Sequence, residues 1–174
     1  VGETPLAVQA RDALHAAAPQ ARLIDLALPS GDALELNRII ALKMLLNAHS
    51  TGVMAKLGRV VGNTMTAVQP GNLKLIGRAT YLIQSHVNAV LASAAWRNAY
   101  GEHAPLAYAD ANAILFNAIE ARRADPALAS SPEVELSIVR ILESLRLDQP
   151  ATWEDAAALL RERRLDDYLA GYDG

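Results

Sequence analysis

From about residue 33 to residue 57 the chain has no proline, and its Ala, Leu, Ile, Met and Val side chains fall on most sides of a 3.6-residue repeat. A helix that is apolar nearly all round has to be covered to be stable. This segment is therefore expected to be a long central helix buried in the core. Whatever else the chain forms must supply its cover.

The remaining sequence is suited to supplying helices. Ala and Leu dominate, aromatic residues make up 5%, and β-branched runs are few. Ala and Leu lose little conformational freedom in a helix. Thr4-Pro5 opens a first helix reaching about residue 18, where Pro19 ends it. Residues 21–28 (ARLIDLAL) are short, apolar and bounded by prolines, and read as the one β-strand. A lone strand has unpaired backbone on both edges. Its partners would come from another chain or from an upstream portion. The first residue is Val1 rather than Met, so the chain is expected to be processed or to be part of something longer.

Past the central segment, Gly62 and the Gln69-Pro-Gly71 turn lead to a second long helix over about 72–99. Its Ile76, Ala79, Ile83, Val87, Val90 and Ala94 form one apolar stripe. Gly101 and Pro105 interrupt the chain before a helix over about 106–123, closed by Asp125-Pro126. Ser131-Pro132 starts the next, with Val134, Ile138, Ile141, Leu142 and Leu145 on one face. Thr152 and Asp155 have capping-box spacing for a last helix carrying Leu159 and Leu160.

Composition excludes several functions. With no Cys, disulfides and thiolate metal sites are ruled out. A net charge of −3 offers no basic footprint for nucleic acid or anionic membrane. No apolar run reaches the roughly 18 residues of a membrane span, and no signal peptide is evident. A cytoplasmic protein is expected. His15, His49, His86 and His103 lack metal-ligand spacing, so neither a metal nor another cofactor is expected.

One polar pattern interrupts the central helix. Lys43, Asn47 and Ser50 fall at i, i+4 and i+7, with Thr51 beside them. A cation, an amide and two hydroxyls in a row are suitable donors to a phosphate or a sugar hydroxyl. They equally suit hydrogen bonds to neighbouring loops or to a partner helix. His49, next to this face, could act as a base. His86, on a mostly apolar helix, reads as a hydrogen-bonded core or interface residue. Glu133/Glu135, Glu154/Asp155 and Asp166/Asp167 lie at helix starts or surfaces, where the helix dipole accounts for the first two pairs. Arg161, Arg163 and Arg164 with Asp166 and Asp167 read as a solvated mixed-charge face.

The segment KMLLNAHSTGVMAKLGRVVGNTM at 43–65, followed by PGNLKL at 70–75, matches a longer pattern in register. It resembles the Lys-x-x-Leu-Asn-x-x-Ser-Thr-x-x-Met-x-x-Leu-Gly, Asn-x-Met and Asn-x-Lys-Leu runs of the N-acetylmuramic acid 6-phosphate etherases and glucokinase regulatory proteins. The resemblance implies the C-terminal part of a sugar isomerase (SIS) domain, an α/β sandwich that binds phosphosugars. Residues 1–100 would be that remnant, with one strand and a long central helix, and 101–174 a helical extension. It also implies a homodimer, because sites in this superfamily are often completed by a second subunit. Family enzymes cleave a lactyl ether with glutamate as acid and base and without a metal; the regulators bind fructose phosphates without chemistry.

The departures limit the carry-over. In the etherases the segment before the matching lysine is rich in Gly, Ser and Thr; here residues 32–41 read DALELNRIIA. Ile39 and Ile40 would keep a phosphate away from the backbone where glycines admit it. The family's catalytic glutamates lie upstream of the matching block, so no catalytic residue is assigned. Two readings stand. In one, the chain belongs to a phosphosugar lyase, isomerase or regulator, with Lys43, Asn47, Ser50 and Thr51 contacting the substrate. In the other, it is a non-catalytic helical module for dimerisation or regulation, with Leu46, Met54, Leu57 and Met65 in the core and Gly52 and Gly58 allowing close helix approach.

Overall fold

The computed structural model describes residues 5–20, 22, 34 and 36–172. Among them the protein is mostly α-helical, with eight α-helices, one 3₁₀ turn and a two-stranded hairpin. The strand expected at 21–28 falls outside the described residues, Arg22 excepted. The chain divides into two compact units, residues 1–47 and 48–174. The first holds α1 (Pro5–Ala17) and the opening turns of α2 (Leu36–Lys56).

The central-helix expectation is corrected by α2. It forms over nearly the expected span, yet not one of its residues is buried. Leu46 is 58% exposed, and Ile39, Ile40, Leu42 and Met44 are exposed too. Its apolar side chains give helix propensity but find no cover among the described residues. Leu57 and Met65 are likewise exposed and Met54 only half-buried, so the core proposed for that block does not form.

The core of the second unit lies instead in its C-terminal helices. α3 (Leu73–Ala92), α5 (Tyr108–Ala124) and α6 (Glu133–Leu147) pack mutually, and α7 (Trp153–Glu162) packs on α6. Ile83, Val87, Leu115, Leu136, Ile138 and Leu142 are fully or almost fully buried between them. The Asn72 side chain accepts from the Leu75 amide at 3.0 Å and starts α3. The helix expected over 72–99 is two. Ser93 leaves helical geometry, with ψ of 149°, and its Oγ accepts from the Trp96 amide to start α4 (Ala94–Tyr100). A side-chain oxygen that can cap a helix can also divide one.

The expected α6 face is observed: Val134, Ile138, Ile141 and Leu142 are buried and Leu145 packs against them. So is the capping box of α7. Thr152 Oγ1 accepts from the Asp155 amide at 3.1 Å, and the Asp155 carboxylate accepts from the Thr152 amide at 3.2 Å. Past α7 the chain turns once more into α8 (Leu165–Ala170), which packs on the hairpin.

That hairpin pairs β1 (Val60–Val61) with β2 (Thr64–Met65), Val60 opposite Met65. Gly62 takes the positive φ its tight turn needs. α2 reaches the hairpin through a Schellman ending. The Gly58 amide donates to the Ala55 carbonyl at 3.0 Å, and that of Arg59 to Met54 at 2.9 Å. Gly58, at φ +71°, occupies the left-handed position the motif requires.

Candidate functional site

The chain reversal at Gly58 brings Arg59 over the start of α6. Arg59 and Gly58, with Ser130 and Ser131 from the loop before α6, Glu135 from its first turn, and Arg161 and Arg164 from around the end of α7, line a recess of about 240 Å³. Leu57 and Leu160 supply its apolar walls. All of these residues lie within the second unit.

Glu135 is the chemically distinctive member. Only 6% of its surface is exposed. Thr66 Oγ1 donates to its Oε1 at 3.0 Å, and the Arg59 guanidinium lies 3.7 Å from Oε2. Burial pushes the Glu135 carboxyl above the ordinary carboxylate range. The Thr66 hydrogen bond and the Arg59 charge pull it part of the way back, and Asp166 adds a smaller upward push. The result is a carboxyl that holds its proton more tightly than an ordinary one, beside a cation.

The arginines are placed by different means. Arg164 pairs with Asp166, its Nε donating to Oδ1 at 3.1 Å, and the far end of its side chain lies over Gly58. A Cβ at position 58 would come within 2.6 Å of Arg164 Cδ and Nε, an exposed and flexible end that can swing aside. Glycine is thus required there for its positive φ. Arg161, in the last turn of α7, is exposed and has no charged or hydrogen-bonding partner among the described residues. The solvated face read in the sequence is solvated, but two of its three arginines also border this recess.

Lys43 and Asn47 lie in the first unit, and Ser50 and Thr51 in the second, all on α2 and all exposed. The buried polar row expected from the sequence is therefore an exposed one. His49 is exposed beside them. His86 is half-buried on α3, and its Nε2 finds no hydrogen-bond partner among the described residues, so it is not the hydrogen-bonded core residue that was one of its two expected roles. Burial holds its imidazole below the ordinary histidine value. Glu133 and Glu135 do open α6, as expected, but they are buried rather than at the surface. Glu133 is compensated by Arg122.

Sequence reasoning missed the recess because its members are far apart in the chain. The Thr66–Glu135 hydrogen bond alone spans 69 positions. The available local signal was Leu57-Gly58-Arg59, a helix ending followed by a cation. Among the described residues no cluster of His, Asp or Glu is arranged to hold a metal, and no helix is long and apolar enough to cross a membrane.

Comparison with known proteins shows the resemblance read in the sequence. A segment of 44 residues, 25% of this chain, is 54% identical to N-acetylmuramic acid 6-phosphate etherase 1 of Enterococcus faecalis. Over 45 residues the chain is 56% identical to the N-acetylmuramic acid 6-phosphate etherase of Lactobacillus gasseri, and over 54 residues 46% identical to that of Pectobacterium atrosepticum. These matches span 15%, 15% and 18% of the three proteins. No protein-family model matches the chain. No solved structure matches it.

Proposed function

We propose that the chain contributes phosphosugar binding to a protein acting on amino-sugar phosphates, whether an etherase-type lyase, an isomerase or a regulator. The observation that carries this reading is the segment shared with the etherases at about half identity over a quarter of the chain. The proposed substrate contacts are Lys43, Asn47, Ser50 and Thr51, all exposed on α2. The ancestry proposed for the segment is the C-terminal part of an SIS sandwich. No catalytic residue is assigned, because Ile39 and Ile40 stand where the family has small donors, and the chain is proposed to bind without reacting. A cytoplasmic homodimer completes the proposal.

A thermal-shift series with sugar phosphates tests it. N-acetylglucosamine 6-phosphate is expected to raise the melting temperature, and Lys43→Ala and Ser50→Ala to weaken binding about tenfold while leaving the unliganded melting point nearly unchanged. Equal losses of binding and stability would assign both residues to the scaffold instead.

A second reading is favoured by one observation. α2 exposes Ile39, Ile40, Leu42, Met44 and Leu46, more apolar surface than a solvated helix usually carries. On that reading the helix is a dimerisation or regulatory element. Sedimentation of the wild type and of Leu42→Glu separates the two readings. A dimer lost in the variant, with no sugar-phosphate response in either, would favour the second.

A further inference from the structure

We propose that the cleft between the last turns of α3, α4 and residues 102–105 is a binding site for a free α-amino acid with a medium-sized apolar side chain. It lies within the second unit and does not rest on the α2 contacts proposed above.

Charge comes first. Between Arg78 and Asp110 the chain carries two full charges, Arg97 and Glu102, and both line this cleft of about 390 Å³. Both are exposed, and they pair neither with each other nor with any other charged group among the described residues. Arg146, whose charge reaches the Tyr100 and Tyr172 rings packed on Trp96, is already answered by Glu143. The cleft therefore presents one cation and one anion, with His103 between them in the chain. A simple anion would match only Arg97, and a simple amine only Glu102. The carboxylate and ammonium of an α-amino acid, carried on one carbon, match both. The planar guanidinium of Arg97 suits the carboxylate through two parallel hydrogen bonds.

Shape and pre-organisation point the same way. Gly101, at φ +83°, turns the chain out of α4 and into the segment that carries Glu102 and His103. The buried Trp96 indole donates to His103 Nδ1 at 3.2 Å. An indole N–H only donates, so the ring proton of His103 is on Nε2, a second donor for a carboxylate. Asn88 holds the other end of the segment. Its Oδ1 accepts from the Leu106 amide at 2.7 Å, and its Nδ2 donates to the Leu106 carbonyl at 3.2 Å. A segment pinned at both ends spares much of the cost of ordering it around a ligand. Leu91, Ala92 and Pro105 supply the apolar wall, which a side chain the size of leucine would cover. Glycine would leave that wall unused.

Titration calorimetry of the full chain at low ionic strength tests this. The probes are L-leucine, N-acetyl-L-leucine, which lacks the ammonium, and L-leucinamide, which lacks the carboxylate. Leucine is expected to bind saturably and each derivative about tenfold more weakly. Arg97→Gln is expected to weaken leucine about tenfold and Arg97→Lys to restore part of the loss. Glu102→Gln is expected to weaken leucine similarly while leaving N-acetyl-leucine unchanged, since that probe has no ammonium to lose. Arg97 and Glu102 are exposed, so none of these variants should shift the unliganded melting temperature. Undiminished leucine binding by Arg97→Gln, or no leucine binding at millimolar concentration, overturns the proposal. N-Acetyl-leucine binding as tightly as leucine overturns the role given to Glu102, and leucinamide doing so overturns that given to Arg97. Lys43→Ala is expected to bind leucine as the wild type does. Loss of leucine in that variant, with retention in Arg97→Gln, would move the amino acid to α2 and overturn the cleft.

Discussion

α2 and α6 reverse what their compositions suggest. α2 reads as the core helix of the chain, yet it has no buried residue. α6 carries Glu133, Glu135 and Glu143, yet all three are buried and most of its length is inside the core. Hydropathy states what a helix can tolerate, whereas burial depends on which partners reach it. α6 is met by α3, α5 and α7, and each of its glutamates is answered: Glu133 by Arg122, Glu135 by Thr66 and Arg59, Glu143 by Arg146 and the Tyr168 hydroxyl at 2.9 Å. Burying a carboxylate is tolerable on those terms and costly on any other. α2 has the converse arrangement, an apolar surface with nothing laid against it among the described residues.

The sharpest way to break this contrast is a pair of matched truncations. Leu136→Ala, at a fully buried site of α6, is expected to cost about 2–5 kcal/mol in urea denaturation. Leu46→Ala, the same chemical change on α2, is expected to stay within about 0.5 kcal/mol. A comparable loss at both positions would mean that α2 is covered in solution.

A smaller effect tests whether the C-terminal core depends on local signals as well as packing. Thr152→Ala removes the cap of α7 and is expected to cost about 1 kcal/mol, read from the same denaturation curves. No change in the midpoint would assign that helix's stability to packing alone.

The smallest expected effect is a change of slope. Glu135 holds its proton more tightly in the folded protein than the ordinary value of 4.5 implies. Its stabilising contribution is therefore full below that value and is lost as pH rises through the higher folded value. His86 acts in the opposite direction. Its folded value lies below 6.5, so its contribution is present above that pH and is lost as pH falls through the folded value. Glu135→Gln should flatten the decline on the alkaline side of 4.5 and leave the His86 limb intact. Midpoints measured at half-unit pH steps would show this, and an unchanged profile would remove Glu135 from the account.

Much of the second unit was legible in the sequence, for reasons that differ by element. The α6 face and the α7 capping box are local patterns, set by side chains three or four positions apart, and both form as read. The break at Ser93 was present as a capping residue but was outweighed by an apolar stripe running through it. The hairpin at 60–65 is only two residues a side, too short for alternation to register. The recess had no local signature, since Arg59, Glu135 and Arg161 meet only after the helices between them have packed. The exposure of α2 could not be read at all, because periodicity records which faces are apolar and not what lies against them.

The turn at Gly58 has a consequence for how this chain can vary. A glycine chosen to end a helix also shapes the space in which Arg164 lies, although over a hundred positions separate them. A side chain placed at 58 could push the exposed end of Arg164 aside, but it could not escape the left-handed backbone, so that position is closed to most residues by conformation rather than by crowding.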